Sequence, residues 1–128
     1  MTRFDAASPP ERRALFADAV LAHRERASAY LTIEGEPEDP DEPIPWIQFA
    51  DGTLNLDCTD EEYDRVRSVL SEFPAFKIDE LTRPEEAEGT NVRISALADP
   101  NRIAQFVDET MTGVYGLPEE YRAWVVEI

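Results

Sequence analysis

The sequence predicts a single α+β domain over residues 1–128, with three helices packed on a mostly antiparallel sheet in the order α-β-β-α-β-β-α-β. Three observations predict this class. A chain of 128 residues is long enough to bury one core and too short for two. Three segments repeat apolar residues at helical spacing behind capping signals, whereas the other apolar segments alternate with a period of two. Asp51-Gly52, between two alternating segments, is typical of a tight hairpin turn.

Each predicted helix opens on an N-terminal signal. Ser8 caps the first helix and Glu11 completes a capping box, with a proline at the first helical position between them. Thr59 and Glu62 form a second capping box. Asp99 precedes a proline in the same arrangement. The predicted helices span residues 9–29, 60–72 and 100–115, and Gly116 is expected to end the last one in the left-handed conformation.

The segments on either side of Asp51-Gly52 form the clearest hairpin, with strands predicted over residues 44–50 and 53–58. A two-residue turn fixes the register and sets Ala50 opposite Thr53. One face of the hairpin is then apolar and carries Ile47, Phe49, Leu54, Leu56 and Cys58. The other face is polar apart from one tryptophan and carries Trp46, Gln48, Asn55 and Asp57.

Three more strands are predicted over residues 76–81, 91–97 and 121–128. The last is apolar on both faces, which indicates an interior or covered strand. Residues 30–33 fit either a last helical turn or a short strand. Residues 1–7 are expected to be a frayed start. Residues 34–45 contain six acids and four prolines and are expected to form a solvated loop without ladder pairing.

The charge of the chain predicts its environment. Twenty-eight acids against 12 bases give a net charge of −16, and 11 of the bases are arginine, Lys77 being the only lysine. Self-repulsion of this size destabilises a compact state in dilute buffer. It is screened when the Debye length falls to about 3 Å, near 1 M salt. We therefore expect a cytoplasmic protein of an extreme halophile.

The same charge excludes several classes of partner. Nucleic-acid binding needs a basic footprint, which this sequence lacks. The acids are spread along the chain, which favours solvation over the alternative of an acidic decoy that mimics nucleic acid. No uncharged run is long enough to cross a bilayer, and no signal peptide is readable, so no membrane association is expected.

No enzyme signature is present, and we expect no catalytic residue, metal site or cofactor. Cys58 and His23 are the only cysteine and histidine, and the hairpin register places Cys58 on the core side, where a thiol is inert. His23 lies on or beside the apolar face of the first helix. The alternative is an acidic metal-binding or enzymatic domain that uses Asp57, Asp60 and Glu61, although 28 acids make such clusters common by chance.

Trp46 is a large aromatic residue that the strand pattern places on an otherwise polar face of the hairpin. Either the proline-rich loop or the first helix covers it, or it belongs to an interface, where aromatic side chains are enriched. We take Trp46, Gln48, Asn55 and Asp57 as the candidate surface for a protein or peptide partner. A homodimer, or a self-assembling structural role that also uses Trp124, is the alternative.

The order of elements resembles the YbjN-like and type III secretion chaperone-like domains, also called the TY-Chap group, over roughly residues 9 to 118. The resemblance is carried by residues 46–52, 59–73, 91–94 and 103–115 and by the closing Gly116-Leu117-Pro118. It implies a non-enzymatic domain that binds a peptide or protein segment, often as a dimer. It supplies no binding residues of its own.

The charge leads to a first prediction. Because screening of the acids removes self-repulsion, the melting temperature is expected to rise steeply between dilute buffer and molar KCl. Scanning calorimetry or circular dichroism across a KCl series measures this shift. A melting temperature that stays level across the series contradicts the halophilic interpretation.

Overall fold

The computed structural model describes residues 3–26, 30–83 and 89–126 of the chain. Within these ranges, seven strands form one antiparallel sheet with three helices on one of its faces. The strands are β1 (Arg3–Ala6), β2 (Leu31–Gly35), β3 (Trp46–Ala50), β4 (Thr53–Cys58), β5 (Lys77–Thr82), β6 (Thr90–Ser95) and β7 (Ala123–Val126). The helices are α1 (Pro9–Arg26), α2 (Asp60–Leu70) and α3 (Pro100–Gly113). The strand order across the sheet is β1-β7-β2-β3-β4-β6-β5.

The predicted α+β class is confirmed, and so are the caps of α2 and α3, whereas at α1 only the Glu11 N–H contacts the Ser8 hydroxyl, at 3.4 Å. The Thr59 hydroxyl accepts a hydrogen bond from the Glu62 backbone N–H at 3.2 Å, while the Glu62 carboxylate accepts one from the Thr59 N–H at 2.8 Å. Asp99 caps α3 through the N–H of Arg102 at 3.0 Å. Gly116 has the expected left-handed conformation, with a φ of 72°, although α3 already ends at Gly113, before the predicted residues 114–115. α2 ends at Leu70, slightly before the predicted end, and the predicted last residues of α1, 27–29, lie outside the described part.

The hairpin of β3 and β4 has the predicted register. Phe49 pairs with Leu54 and Ala50 with Thr53, and the turn residues Asp51 and Gly52 both have positive φ angles. The strands alternate between buried and half-buried side chains, which places the apolar set in the core. The local signal of a two-residue turn therefore determined which side chains face each way.

The prediction of a frayed start is wrong for Arg3–Ala6, which form β1 and pair antiparallel with β7. Four residues are too few for an alternating pattern to be recognised. The pairing partner lies at the other end of the chain, so only tertiary context stabilises this strand. Residues 1 and 2 lie outside the described part.

Residues 31–35 form β2, which decides between the helical and strand alternatives for residues 30–33 in favour of a strand. The prediction that residues 34–45 exclude ladder pairing is wrong for Glu34 and Gly35, which pair with β3 or β7. The first proline of this segment is Pro37, so the loop that follows β2 covers residues 36–45. At Gly35 a Cβ would lie 2.6 Å from a Leu117 methyl group, which explains the glycine there.

β7 lies between β1 and β2, which confirms the prediction of an interior strand. It is shorter than predicted, because it begins at Ala123 and its described residues end at Val126. Predicted strand residues 127 and 128 lie outside the described part. With β1 and β2 added, the observed order is β-α-β-β-β-α-β-β-α-β, two strands more than predicted.

The core lies between the sheet and the helices. α3 packs against both α1 and α2, and the apolar side chains of the strands point toward this layer. Fully buried members of the core include Phe16, Ile47, Phe49, Leu54, Leu56, Ile94, Ile103, Phe106 and Met111. On the opposite face the strand side chains are half-buried or exposed, and none of the described helices covers them.

A buried arginine ties the two ends of the fold together. Arg12 of α1 is 1% exposed, and its Nε donates to the Asp108 carboxylate of α3 at 2.8 Å. Its other nitrogens donate to the carbonyls of Ala7, Glu119 and Tyr121, at 3.0, 2.7 and 3.0 Å. Its guanidinium lies 3.9 Å above the Tyr121 ring, and the Tyr121 hydroxyl donates to Asp108. Burial and the Asp108 charge raise the pKa of Tyr121 well above its usual range.

Removal of this guanidinium is expected to destabilise the protein strongly. Arg12→Met leaves the Asp108 carboxylate and three carbonyls without their donor, so the free energy of unfolding should fall by about 3 to 5 kcal/mol. Arg13→Met is the matched control, because Arg13 is 43% exposed and its contact with the same carboxylate is longer, at 3.6 Å. That variant should lose less than about 1 kcal/mol. Urea unfolding in molar KCl measures both values, and equal losses would show that Arg12 has no special role.

Candidate functional site

All four predicted site residues lie on the face of the sheet opposite the helices, which we call the open face. Gln48 on β3 pairs with Asn55 on β4, and both side chains are half-buried. Trp46 is half-buried at one end of β3, and Asp57 is exposed at the same end of β4. Gln48 also pairs with Thr32 of β2, so the open face continues across the sheet from β3. The half-burial of Trp46 leaves part of its indole accessible.

A shallow depression of about 340 Å³ lies near the middle of the open face. It brings together two of the predicted residues, Gln48 and Asn55, but not Trp46 or Asp57. The remaining lining residues are Tyr30, Ala50, Thr53, Asp79 and Arg93. Its walls therefore carry two side-chain amides, a hydroxyl, a phenol and one charge of each sign. This mixture offers hydrogen bonds in both directions to a bound chain.

An amide on β6 connects the predicted residues. The Asn91 side-chain nitrogen donates to the side-chain oxygens of Asn55 at 2.7 Å and Asp57 at 2.8 Å. One donor group thus fixes the orientation of two neighbouring acceptors on β4. Next to it on the same face, Arg93 lies 3.8 Å from the Glu80 carboxylate of β5. The polar side chains of the open face are therefore partly preorganised by cross-strand contacts.

Four residues of the open face were not predicted as site residues: Tyr30, Asp79, Asn91 and Arg93. Their contribution depends on the pairing of β4 with β6 and of β6 with β5, which joins segments more than thirty residues apart in the first case. Local patterns do not carry such information. The alternation of the β6 segment did indicate that Arg93 and Ser95 share a polar face, which was the available signal for Arg93.

The two tryptophans of the chain lie on the open face, one on each side of an acid. Glu34 of β2 pairs with Trp46 of β3 on one side and with Trp124 of β7 on the other. Residues that pair directly in an antiparallel sheet share a face. Glu34 was assigned to the loop in the sequence analysis, so this row of three residues was not foreseen.

The only thiol and imidazole lie on the helix side of the sheet, away from the open face. Cys58 is buried, and its Sγ donates to the Thr90 carbonyl at 3.7 Å. Burial, with a smaller contribution from Glu62, raises the pKa of the Cys58 thiol to about 11. His23 packs edge-to-face on Phe49 with ring centres 5.4 Å apart, and burial lowers its pKa. These environments are those of core residues.

The alternative acidic site does not form. Asp57, Asp60 and Glu61 are all exposed, and Asp60 lies 3.7 Å from Arg83. Among the residues that the structure describes, no three His, Cys, Asp or Glu side chains are grouped as metal ligands. The strand–helix junction separates the side chain of Asp57 on the open face from the first turn of α2. The described structure therefore does not support these three acids as one metal site, and a catalytic use of them stays a prediction.

Comparison with known proteins assigns the chain at the level of a family. A family of unknown function, DUF7975, matches residues 1–128. The chain belongs to this family. No curated protein and no solved structure matches it significantly. The DUF7975 match covers the residues of both terminal strands and of the open face.

Within the described part of this DUF7975 chain, no helix has the length and apolar character needed to cross a membrane. The resemblance to the YbjN-like and type III secretion chaperone-like group stays a prediction, since the comparisons find only DUF7975.

The environment of Cys58 predicts low thiol reactivity. At a pH of about 8 the folded protein should react with an aromatic disulfide reagent roughly a hundredfold more slowly than the unfolded chain, because a raised pKa leaves little thiolate. The release of coloured thiol in molar KCl, with and without urea, measures the two rates. Similar rates in both conditions would contradict the buried placement of Cys58.

Proposed function

We propose that this DUF7975 protein is a non-enzymatic binding module of a halophilic cytoplasm that holds a protein or peptide segment on its open face. The observation that supports this most directly is the sheet face that none of the described helices covers. It extends over seven strands, carries both tryptophans and contains a depression lined by side-chain amides. Aromatic residues are enriched in the cores of protein interfaces, where they supply large contact areas.

The distribution of charge on the open face supports the same function. On β2, β3 and β4 the face carries the uncharged side chains of Thr32, Gln48, Ala50, Thr53 and Asn55, whereas the acids Glu34 and Asp57 lie toward one end of these strands. Charged side chains lie toward the margins, such as Lys77 and Glu80 on β5 and Asp5 on β1. Interfaces show this arrangement, with charges depleted in the centre and retained at the rim.

The edges of the sheet favour binding on the face over strand addition. β5 is an edge strand with exposed Lys77, Asp79 and Glu80, and its pairing with β6 is irregular between Ile78 and Glu80. Charges and bulges are the devices by which edge strands avoid pairing with other chains. β1, at the other edge, offers only four residues. A partner can therefore bury more surface on the open face than by pairing with an edge strand.

Site-specific photo-cross-linking tests this function. A benzophenone amino acid replaces Gln48 on the open face, and in a matched control it replaces Gln105, which is exposed on α3. Both proteins are irradiated in native lysate kept in molar KCl. We expect a discrete cross-linked partner from position 48 and none from position 105.

A partner captured equally from both positions, or from neither, would contradict the proposal. A cross-link between two copies of the chain, together with a light-scattering mass of a dimer, would assign the open face to self-assembly instead.

A further inference from the structure

We propose that Glu34, Trp46 and Trp124 form a receptor for an arginine side chain of the bound segment. This inference rests on the proposed function and names the chemistry of the partner. The three residues lie in one row across β3, β2 and β7, with the carboxylate between the two indoles. We call this row the tryptophan–glutamate row.

The register determines the spacing of the row. Directly paired residues of an antiparallel sheet have Cβ atoms about 4.5 to 5.5 Å apart. The two tryptophans are therefore two strand spacings apart, roughly 10 Å. Glu34 lies between them on the middle strand, β2, and is half-buried. A cation bound to the Glu34 carboxylate therefore has a tryptophan on the neighbouring strand at each side.

The row carries a negative charge that the described structure leaves unneutralised. Asp5, which pairs with Trp124 on the far side, forms an ion pair with Arg122. For Glu34, none of the basic side chains whose positions the structure describes forms an ion pair. Residues 27–64 contain no Lys or Arg, so β2, β3 and the loop that joins them bring no cation to Glu34. The adjoining loop, residues 36–45, adds five acids.

The ligand that matches these groups is a guanidinium. Indole faces attract cations, and a carboxylate accepts two parallel hydrogen bonds from the guanidinium fork. Partial burial strengthens both interactions by lowering the local dielectric constant. A lysine ammonium is a more strongly hydrated point charge and stacks less well on aromatic rings. This difference matters in molar salt, where a short Debye length leaves only contacts at close range.

Other ligands match the row less well. A nucleic acid is repelled by the surrounding acids. A calcium or magnesium ion requires several oxygen ligands, and no group of three candidate side chains exists in the described part of the chain. The exposed arginines of a second copy could supply the guanidinium, and the test separates that case from a different partner.

Tryptophan fluorescence reports directly on this row, because the chain contains only two tryptophans and both belong to it. The probe is a short extended peptide of alternating arginine and valine, titrated into the protein in molar KCl. Matched peptides contain lysine or citrulline at the arginine positions. Citrulline keeps the size of arginine and removes its charge. Comparison of the arginine and citrulline peptides on the unaltered protein is therefore the first test.

We expect saturable binding of the arginine peptide, weaker binding of the lysine peptide and no measurable binding of the citrulline peptide. Glu34→Gln should weaken arginine-peptide binding about tenfold, the effect of losing one charged hydrogen-bond acceptor. Glu38→Gln is the matched control, because it removes one acid from the exposed neighbouring loop and should leave the affinity unchanged.

Two results would overturn the inference. One is equal binding of the arginine and citrulline peptides, and the other is an equal response of the two glutamine variants. If position 48 still cross-links a partner in either case, the proposed function survives and only the arginine receptor fails. If position 48 cross-links nothing and no peptide binds, both fail. A change in light-scattering mass that requires Glu34 but no peptide would identify a second copy as the source of the guanidinium.

Discussion

The buried guanidinium of Arg12 is the interaction on which the sheet depends. Burial of a charge costs several kcal/mol unless the charge is paired and its donors are satisfied. Arg12 meets both conditions through Asp108 and the three carbonyls, two of which belong to the segment that leads into β7. α1, α3 and the last strand are thereby fixed to one point. Because β7 lies between β1 and β2, the same point determines how both ends of the chain join the sheet.

The placement of all three helices on one face follows from the strand patterns and leads to the open face. β2, β3, β4 and β6 each alternate apolar with polar side chains, so each strand has one face to bury. α1, α2 and α3 cover that face. The polar face, on the side away from these helices, retains half-buried amides and tryptophans. Side chains of intermediate burial on a broad sheet are a surface that a partner can complete with little reorganisation.

Features that depend on residues close together in the chain could be predicted from the sequence, and features that depend on distant residues could not. The caps at Thr59 and Asp99 and the Asp51-Gly52 turn depend on residues within a few positions, and all were predicted correctly. β1 and β2 were missed or left open because their pairing partners lie far away in the chain. The site follows the same rule. The hairpin register placed Gln48 beside Asn55, whereas the position of Glu34 between two tryptophans required the pairing of three distant strands.

The acid excess and the open face have different physical roles, solvation for the first and close-range contact for the second. In molar salt the Debye length of about 3 Å removes long-range attraction, so the acids keep the chain solvated without guiding a partner to it. Recognition under those conditions must come from groups in direct contact, such as stacked rings, amide hydrogen bonds and partly buried charges. The open face holds these three kinds of group in its tryptophans, its Gln48–Asn55 pair and Glu34. Under the proposed function, the few charges able to contribute to binding in molar salt are therefore those next to apolar surface, and most of the −16 has no direct part in it.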